Sequence, residues 1–359
     1  MNLFPGFERR RIRTSGATIN LVMAGAGEPL LMLHGYPQTH ACWHKIAPAL
    51  ARRYAVVCPD LRGYGDSSKP KGLSDHSNYS KRAMALDMVE AMEALGHRRF
   101  HLVGHDRGAR VGHRLARDHR RRVHTFTTLD ISPTLKMFER TDLAFATAYY
   151  HWFLMLQPPP LPEKMLAGQV PFNILGRVGR DKPDLSKFSK AAVREYVRCF
   201  KDPRAIHASC EDYRAAGTID LVHDRHDRND KLTLPVLALW GRQGVIARLF
   251  DCLADWREVA DNVTGRALNC GHFIPEEAAP QTLKEIERFL RQPRSERAHE
   301  KSPAGASRGR RHRHWRDDPV AERVRGRSPG ASRFRLAGDR HRARPDRRRE
   351  TAGDDPRHE

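Results

Sequence analysis

The sequence lacks paired cysteines, long apolar runs and an apolar segment near its start. Six cysteines are scattered along the chain: Cys42, Cys58, Cys199, Cys210, Cys252 and Cys270. No C-x-x-C pair occurs, which argues against a zinc ribbon or a thiol redox motif. Free thiols are typical of a reducing compartment, so we expect a cytoplasmic protein. No stretch approaches the ~18 apolar residues of a membrane span, and the charged segment Met1 to Arg13 does not predict a signal peptide.

Positive charge is abundant but unevenly distributed. The net charge is +21, and residues 293–359 hold 20 Lys and Arg against 11 Asp and Glu. Apolar periodicity ends at about Gln292, so we expect this tail to be disordered. Basic tails bind nucleic acid nonspecifically, but we consider a nucleic-acid partner unlikely because nearly half of the excess charge lies in the tail.

Strand-like and helix-like segments alternate over much of the chain. A first hairpin is expected at Arg11–Thr14 and Ile19–Ala24. Five apolar runs of strand length follow: Leu30–Leu33, Tyr54–Cys58, Phe100–Val103, Val123–Leu129 and Val236–Trp240. Helical patterns lie at Ala41–Arg52, Ser80–Leu95 and Gly108–Asp118. Continuous apolar runs favour buried parallel strands, and the alternation predicts a doubly wound α/β sheet with chemistry at the carboxyl ends of its strands.

The strand pattern stops between Ser132 and about Gly217. This region is rich in aromatic residues and proline, and we interpret it as a helical cap inserted over the sheet. The predicted organisation is a core at 1–132, a cap at 133–217, the rest of the core at 218–292 and a basic tail at 293–359. The charged run at 223–228 is expected to be a solvated loop rather than a metal site.

The segment Gly104-His105-Asp106-Arg107-Gly108 follows the strand at Phe100–Val103. It resembles the G-x-S-x-G turn that presents the nucleophile in α/β-hydrolases, with Asp106 in the place of serine. A carboxylate there indicates attack on carbon through an ester to the enzyme. The predicted fold is therefore an α/β-hydrolase fold with a mostly parallel sheet and an inserted helical cap. The alternative reading is an ordinary aspartate that caps the next helix.

The partners that such a nucleophile needs occur in a suitable order. His34-Gly35-Tyr36-Pro37 follows the strand at Leu30–Leu33, so the backbone N–H groups of Tyr36 and Arg107 are candidate oxyanion donors. His272 is the candidate base. In proteins that resemble this pattern, the acid that orients the histidine follows one of two neighbouring strands. No carboxylate follows Val236–Trp240 directly, so Asp130, after the strand at Val123–Leu129, is the better candidate. Asp251 is the weaker rival.

Five further residues are candidates for substrate contacts. Arg107 and Arg110 stand one and four residues after Asp106, where two guanidinium groups could clamp a carboxylate. Surface salt bridges are the alternative for these arginines. Three cap residues offer N–H and O–H donors to a leaving halide: His151, Trp152 and Tyr213. The basic residues farther along the same helix are expected on solvent faces: Arg114, Arg117, Arg120, Arg121 and Arg122.

Several motifs together resemble the haloacetate dehalogenases, in particular those that act on fluoroacetate. They read HGYPQTHACWHKIAPALA, PDLRGYGDSSKP, VGHDRGARVGHRLA, LDISPT, YYHWFL and CEDYRA. The resemblance covers about Phe4 to Gln292 and implies the roles given above. It also implies a homodimer, a small haloacid substrate, and no metal or organic cofactor.

Two other functions stay open from the sequence. Epoxide hydrolases also use an aspartate nucleophile and a histidine base, with cap tyrosines as acids, and Tyr149, Tyr150 or Tyr213 could serve. A neutral epoxide has no use for Arg107 and Arg110, so we favour the haloacid. The third interpretation is an inactive binding protein whose basic tail associates with nucleic acid.

Overall fold

The computed structural model describes residues 2–178 and 185–291, so the predicted tail lies outside the described residues. A sheet of eight strands forms the centre of the fold. Its strands are β1 (Glu8–Arg13), β2 (Thr18–Ala24), β3 (Glu28–Leu33), β4 (Tyr54–Pro59), β5 (Phe100–His105), β6 (Val123–Leu129), β7 (Val236–Gly241) and β8 (Val263–Leu268). The apolar runs that predicted buried strands are confirmed, because every residue of β4 and β5 is buried.

The spatial order of the strands is β1-β2-β4-β3-β5-β6-β7-β8. β1 and β2 run antiparallel to their neighbours, and all strands from β3 onward are parallel. β3 pairs with β4 on one side and with β5 on the other. The chain therefore reverses its path across the sheet at β3, the position at which open α/β sheets bind ligands.

Strand β8 was missed in the sequence. It is an edge strand in which only Val263 and Leu268 are buried, while Thr264 and Arg266 are exposed. Gly265 lies inside it, where a Cβ would collide with the Ala238 carbonyl of β7. Thr264, Gly265 and Arg266 interrupt the apolar residues of β8, so the strand has no apolar run to detect.

The first three α-helices are α1 (Ala47–Leu50), α2 (Lys81–Ala94) and α3 (Arg107–Asp118). Ser80 caps α2, because its hydroxyl accepts a hydrogen bond of 3.1 Å from the Ala83 N–H. The helix predicted at Ala41–Arg52 is instead a 3₁₀ turn at His40–Trp43 followed by α1. Pro48 lies in the first turn of α1, where proline starts a helix rather than continuing one.

The chain between β6 and β7 is helical in its described part, apart from one isolated bridge at Leu232. Its helices are α4 (Thr134–Glu139), α5 (Leu143–Ala148), α6 (Tyr150–Met155), α7 (Leu161–Ala167), α8 (Val170–Val178), α9 (Lys190–Phe200), α10 (Pro203–Gly217) and α11 (Ile219–His226). Four helices complete the described chain: α12 (Val245–Leu249), α13 (Cys252–Val259), α14 (Ile274–Glu277) and α15 (Ala279–Arg291). The domain boundaries stay a prediction.

The basic residues of α3 do not all face solvent as expected. Arg114 and Arg117 are only 4% and 6% exposed. Arg114 forms ion pairs with Asp118, Asp224 and Asp227. The run expected to be a solvated loop thus begins as the end of α11 and packs its acids on α3. Its carboxylates neutralise a buried arginine, which is why sequence spacing alone misplaced both segments.

Gly112 of α3 is explained by packing. A Cβ at this position would lie 2.7 Å from the Phe126 ring of β6, so the helix approaches the sheet too closely for any side chain. None of the described helices has the length and apolar character needed to cross a bilayer. The cytoplasmic location and the homodimer stay predictions.

Candidate active site

Asp106 stands on the sharp turn between β5 and α3. Its φ of 46° and ψ of −115° are unusual for a residue with a side chain, and such strain is typical of active sites. Two glycines allow the turn. A Cβ at Gly104 would lie 2.6 Å from the Ala109 Cα, and one at Gly108 would overlap the carbonyl oxygens of Leu33 and His34.

The loop after β3 contacts the Asp106 carboxylate. The Tyr36 N–H donates a hydrogen bond of 3.0 Å to Asp106 Oδ2. Gly35 lies so close that a Cβ there would be 2.5 Å from the Asp106 Cβ. The Arg107 N–H, the second candidate oxyanion donor, begins α3 and forms no hydrogen bond with the Asp106 carboxylate in the described structure. One of the two expected donors is therefore already engaged with Asp106.

The surroundings of Asp106 favour its ionised form. Burial by itself would raise the pKa of this carboxyl group. The electrostatic effects of the neighbouring His272 and Arg110 oppose burial and bring the pKa below its ordinary value. Asp106 is 4% exposed, so the structure holds a buried, ionised carboxylate with one oxygen on a backbone N–H.

His272 lies after β8 and pairs with Asp130, which follows β6. The His272 Nδ1 is 2.6 Å from Asp130 Oδ2, and the Gly241 N–H donates 2.8 Å to Asp130 Oδ1. Asp130 has a φ of 54°, which turns its side chain at the end of the strand. The rival Asp251 instead caps α13 by accepting a 3.0 Å hydrogen bond from the Ala254 N–H.

Two residues that the sequence did not single out hold the His272 loop. Glu277 accepts hydrogen bonds from the backbone N–H groups on both sides of the histidine, 2.7 Å from Gly271 and 2.8 Å from Phe273. The His105 ring packs on His272 with centroids 4.8 Å apart, and its Nε2 lies 2.9 Å from the His272 carbonyl oxygen. Burial lowers the pKa of His105 to about 3, so this neighbour is neutral.

Arg107 is fully buried and bound by an acid that the sequence analysis did not assign. Its Nε and Nη2 donate 2.8 Å hydrogen bonds to Asp212 Oδ2 and Oδ1, and Nη2 also donates 2.8 Å to the Asp212 carbonyl. Its guanidinium carbon lies 4.1 Å from the centre of the Tyr213 ring. Nη1 has no partner among the described residues. Arg107 is therefore neither a surface salt bridge nor an arginine with both edges open to a ligand.

Arg110 lies in a different environment, without a carboxylate partner in the described structure. Its Nη1 donates 3.0 Å to the Thr134 hydroxyl and 3.3 Å to the Ser132 carbonyl, while its Nε has no partner. The guanidinium carbon is 4.6 Å from the Trp152 ring centre. Burial lowers the pKa of Arg110 to about 10. It thus stays charged at neutral pH with weak, neutral partners.

The three candidate halide donors come together on α6 and α10. The Tyr213 ring centre lies 5.8 Å from that of His151 and 6.2 Å from that of Trp152. Trp152 is fully buried, and its Nε1 has no hydrogen-bond partner in the described structure. Among the tyrosines considered as epoxide acids, Tyr149 is buried beside His151, whereas Tyr150 is 57% exposed.

Residues 2–178 and 185–291 contain no group of three or more His, Cys, Asp or Glu side chains placed to hold a metal ion. The residues that the sequence missed, Asp212 and Glu277 above all, carry only a weak signal. Each is one acid among several in a charged helical segment. Only the folded chain shows which acid turns inward.

Comparison with known proteins gives consistent results. The family model described as the alpha/beta hydrolase fold matches residues 28–279. A fluoroacetate dehalogenase from a Burkholderia species is 44% identical over 294 residues, which cover 82% of this chain and 97% of that protein. A soluble epoxide hydrolase from a Corynebacterium species is 36% identical over 269 residues, covering 73% and 90%. A solved structure from Nostoc sp PCC 7120, provisionally assigned as an alpha/beta hydrolase, has a TM-score of 0.79 at 54% identity and covers 80% of this chain and 99% of that one.

Proposed function

The chain belongs to the alpha/beta hydrolase family, and from this premise we propose that it hydrolyses short 2-haloacids to the 2-hydroxy acid and halide. For a haloacetate the products are glycolate, a halide ion and a proton. The carrying observation is the carboxylate at Asp106 together with two buried arginines in the first turn of α3. The resemblance to the fluoroacetate dehalogenase supports the same substrate class.

In the first step, Asp106 displaces the halide. Oδ2 is held by the Tyr36 N–H, which leaves Oδ1 to attack the α-carbon of the substrate. The new C–O bond forms as the carbon–halogen bond breaks, and the halide leaves with the bonding electrons. Donors on His151, Trp152 and Tyr213 would stabilise the departing anion in a water-poor pocket.

In the second step, His272 removes a proton from water, and the resulting hydroxide attacks the ester carbonyl carbon of Asp106. Asp130 keeps the proton of His272 on Nδ1, so that Nε2 is free to act as the base. The negative oxygen of the tetrahedral intermediate would be bound by the N–H groups of Tyr36 and Arg107. Collapse of the intermediate breaks the bond between the Asp106 carbonyl carbon and the substrate oxygen. The leaving oxygen takes the proton held by His272 and departs as the hydroxy acid, and the carboxyl group of Asp106 loses its proton to solvent and becomes a carboxylate again.

Recognition of the substrate carboxylate would rest on Arg107 and Arg110. Each has one unpartnered, buried nitrogen group, Nη1 on Arg107 and Nε on Arg110. A buried N–H donor without a partner is costly, and a carboxylate would satisfy both. Fixing the carboxylate also aligns the α-carbon with Asp106, which lowers the barrier through positioning.

Epoxide hydrolysis is the second candidate. Two buried tyrosines flank His151: Tyr149 lies 5.6 Å and Tyr213 lies 5.8 Å from its ring centre. The hydroxyl group of either tyrosine could protonate an epoxide oxygen. The similar protein from a Corynebacterium species is named a soluble epoxide hydrolase. The buried arginines favour the haloacid over this candidate.

The test supplies purified protein with fluoroacetate, chloroacetate and styrene oxide in separate assays. Released halide is measured with an ion-selective electrode and diol by chromatography. We expect halide from at least one haloacetate, and none from the isosteric variant Asp106→Asn. Diol formation without halide release would establish the second candidate and refute the first.

A further inference from the structure

We infer that Asp212 and Lys81 act together as positioning residues for Arg107: Asp212 fixes the guanidinium so that only Nη1 faces the substrate anion, and Lys81 prevents Asp212 from cancelling its charge. This inference rests on the proposed binding of a small carboxylate. It identifies residues that neither the motif nor the resemblance assigned.

The geometry of Arg107 leaves a single free group. Four of its five N–H hydrogens belong to Nη1 and Nη2, and the fifth to Nε. Asp212 takes Nε and Nη2 with two parallel 2.8 Å bonds, and its own carbonyl takes Nη2 again. Stacking on the Tyr213 ring fixes the plane of the guanidinium. Arg107 can thus bind an anion at Nη1 only.

Asp212 is shared between more than one donor. Lys81 Nζ donates to its Oδ1, and the Tyr64 hydroxyl donates 2.7 Å to its Oδ2. Lys81 comes from the start of α2, Arg107 from α3 and Asp212 from α10, and all three are at most 3% exposed. A second acid, Asp220, lies 3.3 Å from Lys81 Nζ. Three separate helices therefore meet at one buried carboxylate.

Binding of an anion at Arg107 requires a second cation, Lys81, beside Asp212. Asp212 alone would neutralise Arg107 and leave little attraction for an incoming anion. Because Lys81 also pairs with Asp212, the side chains of Lys81, Arg107 and Asp212 together carry one net positive charge next to Nη1. Asp220 beside Lys81 offsets part of this charge, but burial raises the pKa of that carboxyl group above its ordinary value and so favours its neutral form. Arg110 needs no such arrangement, since it has no acidic partner among the described residues. The two arginines are thus unequal ligands, one positioned by an acid and one by neutral groups.

The same carboxylate connects the anion site to the leaving-group site. Tyr213 follows Asp212 directly on α10, and its ring carries the guanidinium of Arg107. A shift of Asp212 would therefore move both Arg107 and one candidate halide donor. Carboxylate and halide binding are mechanically coupled through these adjacent residues.

The test measures binding of glycolate and its uncharged amide, glycolamide, to the full chain by isothermal titration calorimetry. We expect Lys81→Met to weaken glycolate binding about tenfold or more, since loss of a buried charge near an anion has effects of this size. Glycolamide affinity should change little. Asp212→Asn should raise KM for haloacetate by a similar factor with a smaller change in kcat, and Asp212→Glu should restore part of the loss.

Asp224→Asn is the matched control. It makes the same change in another arginine–aspartate pair, because the half-buried Asp224 of α11 lies 2.6 Å from the buried Arg114 of α3. This variant should lower the melting temperature and leave KM unchanged. Equal losses for glycolate and glycolamide, or unaltered glycolate binding in both Lys81→Met and Asp212→Asn, would overturn the inference. If the variants lose glycolate affinity as expected but the wild-type protein releases no halide from a haloacetate, the proposed function is refuted and the inference about Asp212 and Lys81 is not.

Discussion

Replacement of Asp130 by asparagine separates the two halves of the proposed reaction. Asp130 Oδ1 accepts from the Gly241 N–H, and Oδ2 lies 2.6 Å from His272 Nδ1. Asparagine would keep its oxygen on Gly241 and turn its NH₂ toward His272. Nδ1 would then have to accept, so the proton would move to Nε2 and the histidine could no longer take one from water.

The expected cost is large and confined to ester hydrolysis. The same carboxylate-to-amide change in a Ser-His-Asp triad lowers kcat by roughly 10⁴-fold, equivalent to about 5 kcal/mol of activation free energy. Displacement of halide by Asp106 needs no base. Rapid-quench measurement should therefore show a burst of one halide per site followed by almost no turnover, with a carboxymethyl group retained on Asp106 in the mass spectrum.

Asp251→Asn is the control for this experiment. Asp251 was the rival acid in the sequence, but in the structure it caps α13. Asparagine caps a helix about as well as aspartate, so activity and stability should stay close to the wild type. Turnover of Asp130→Asn within tenfold of the wild type, or a large loss in Asp251→Asn, would refute the assigned pairing.

Two further predictions concern stability. Burial raises the pKa of Glu276 from 4.5 to about 8 in the folded chain. Between these two pH values the folded state holds a proton that the unfolded state releases. The free energy of unfolding therefore falls as pH rises through this interval, by up to about 1.4 kcal/mol per pH unit. Urea unfolding at pH 5 and pH 9 should show this loss in the wild type and a much smaller one in Glu276→Gln; equal pH dependence would contradict the raised pKa. Arg114→Met should destabilise by up to about 3 kcal/mol, because it removes the cation that the half-buried Asp224 and Asp227 share and leaves Asp227 with only the more distant Arg82. A melting temperature within a degree or two of the wild type would show that these acids are solvated.

The sequence predicted the parts of the site that are carried by short, local patterns. Asp106 lies between two glycines at the end of an apolar strand, and the five residues 104–108 are enough to recognise this arrangement. Asp130 emerged by elimination, because no acid follows β7 directly. Both predictions depend on strand ends, and parallel strands bring their carboxyl ends to one edge. The distance from His272 to Asp130 agrees with that placement, while the roles of these residues stay proposals.

Long-range partner choice could not be predicted in the same way. The sequence shows Arg107 beside Asp106 but gives no sign that its other edge is taken by Asp212, 105 residues away. The buried position of Arg114 could not be predicted either, since two of its three acids, Asp224 and Asp227, lie at the end of α11 and directly after it. A charged residue is expected at the surface unless its partners are known. The edge strand β8 escaped notice because Thr264, Gly265 and Arg266 interrupt its apolar residues.

The distribution of the site along the chain has a consequence for engineering. Every group assigned to bond making and breaking follows a strand: Tyr36, Asp106, Asp130 and His272. The groups assigned to the leaving halide, and Asp212 beside them, all come from the helices between β6 and β7. A library confined to α6 and α10 could therefore retune which leaving group is accepted without disturbing the hydrolytic apparatus. Position 213 is the poorest place to begin such a library, because its ring also supports Arg107.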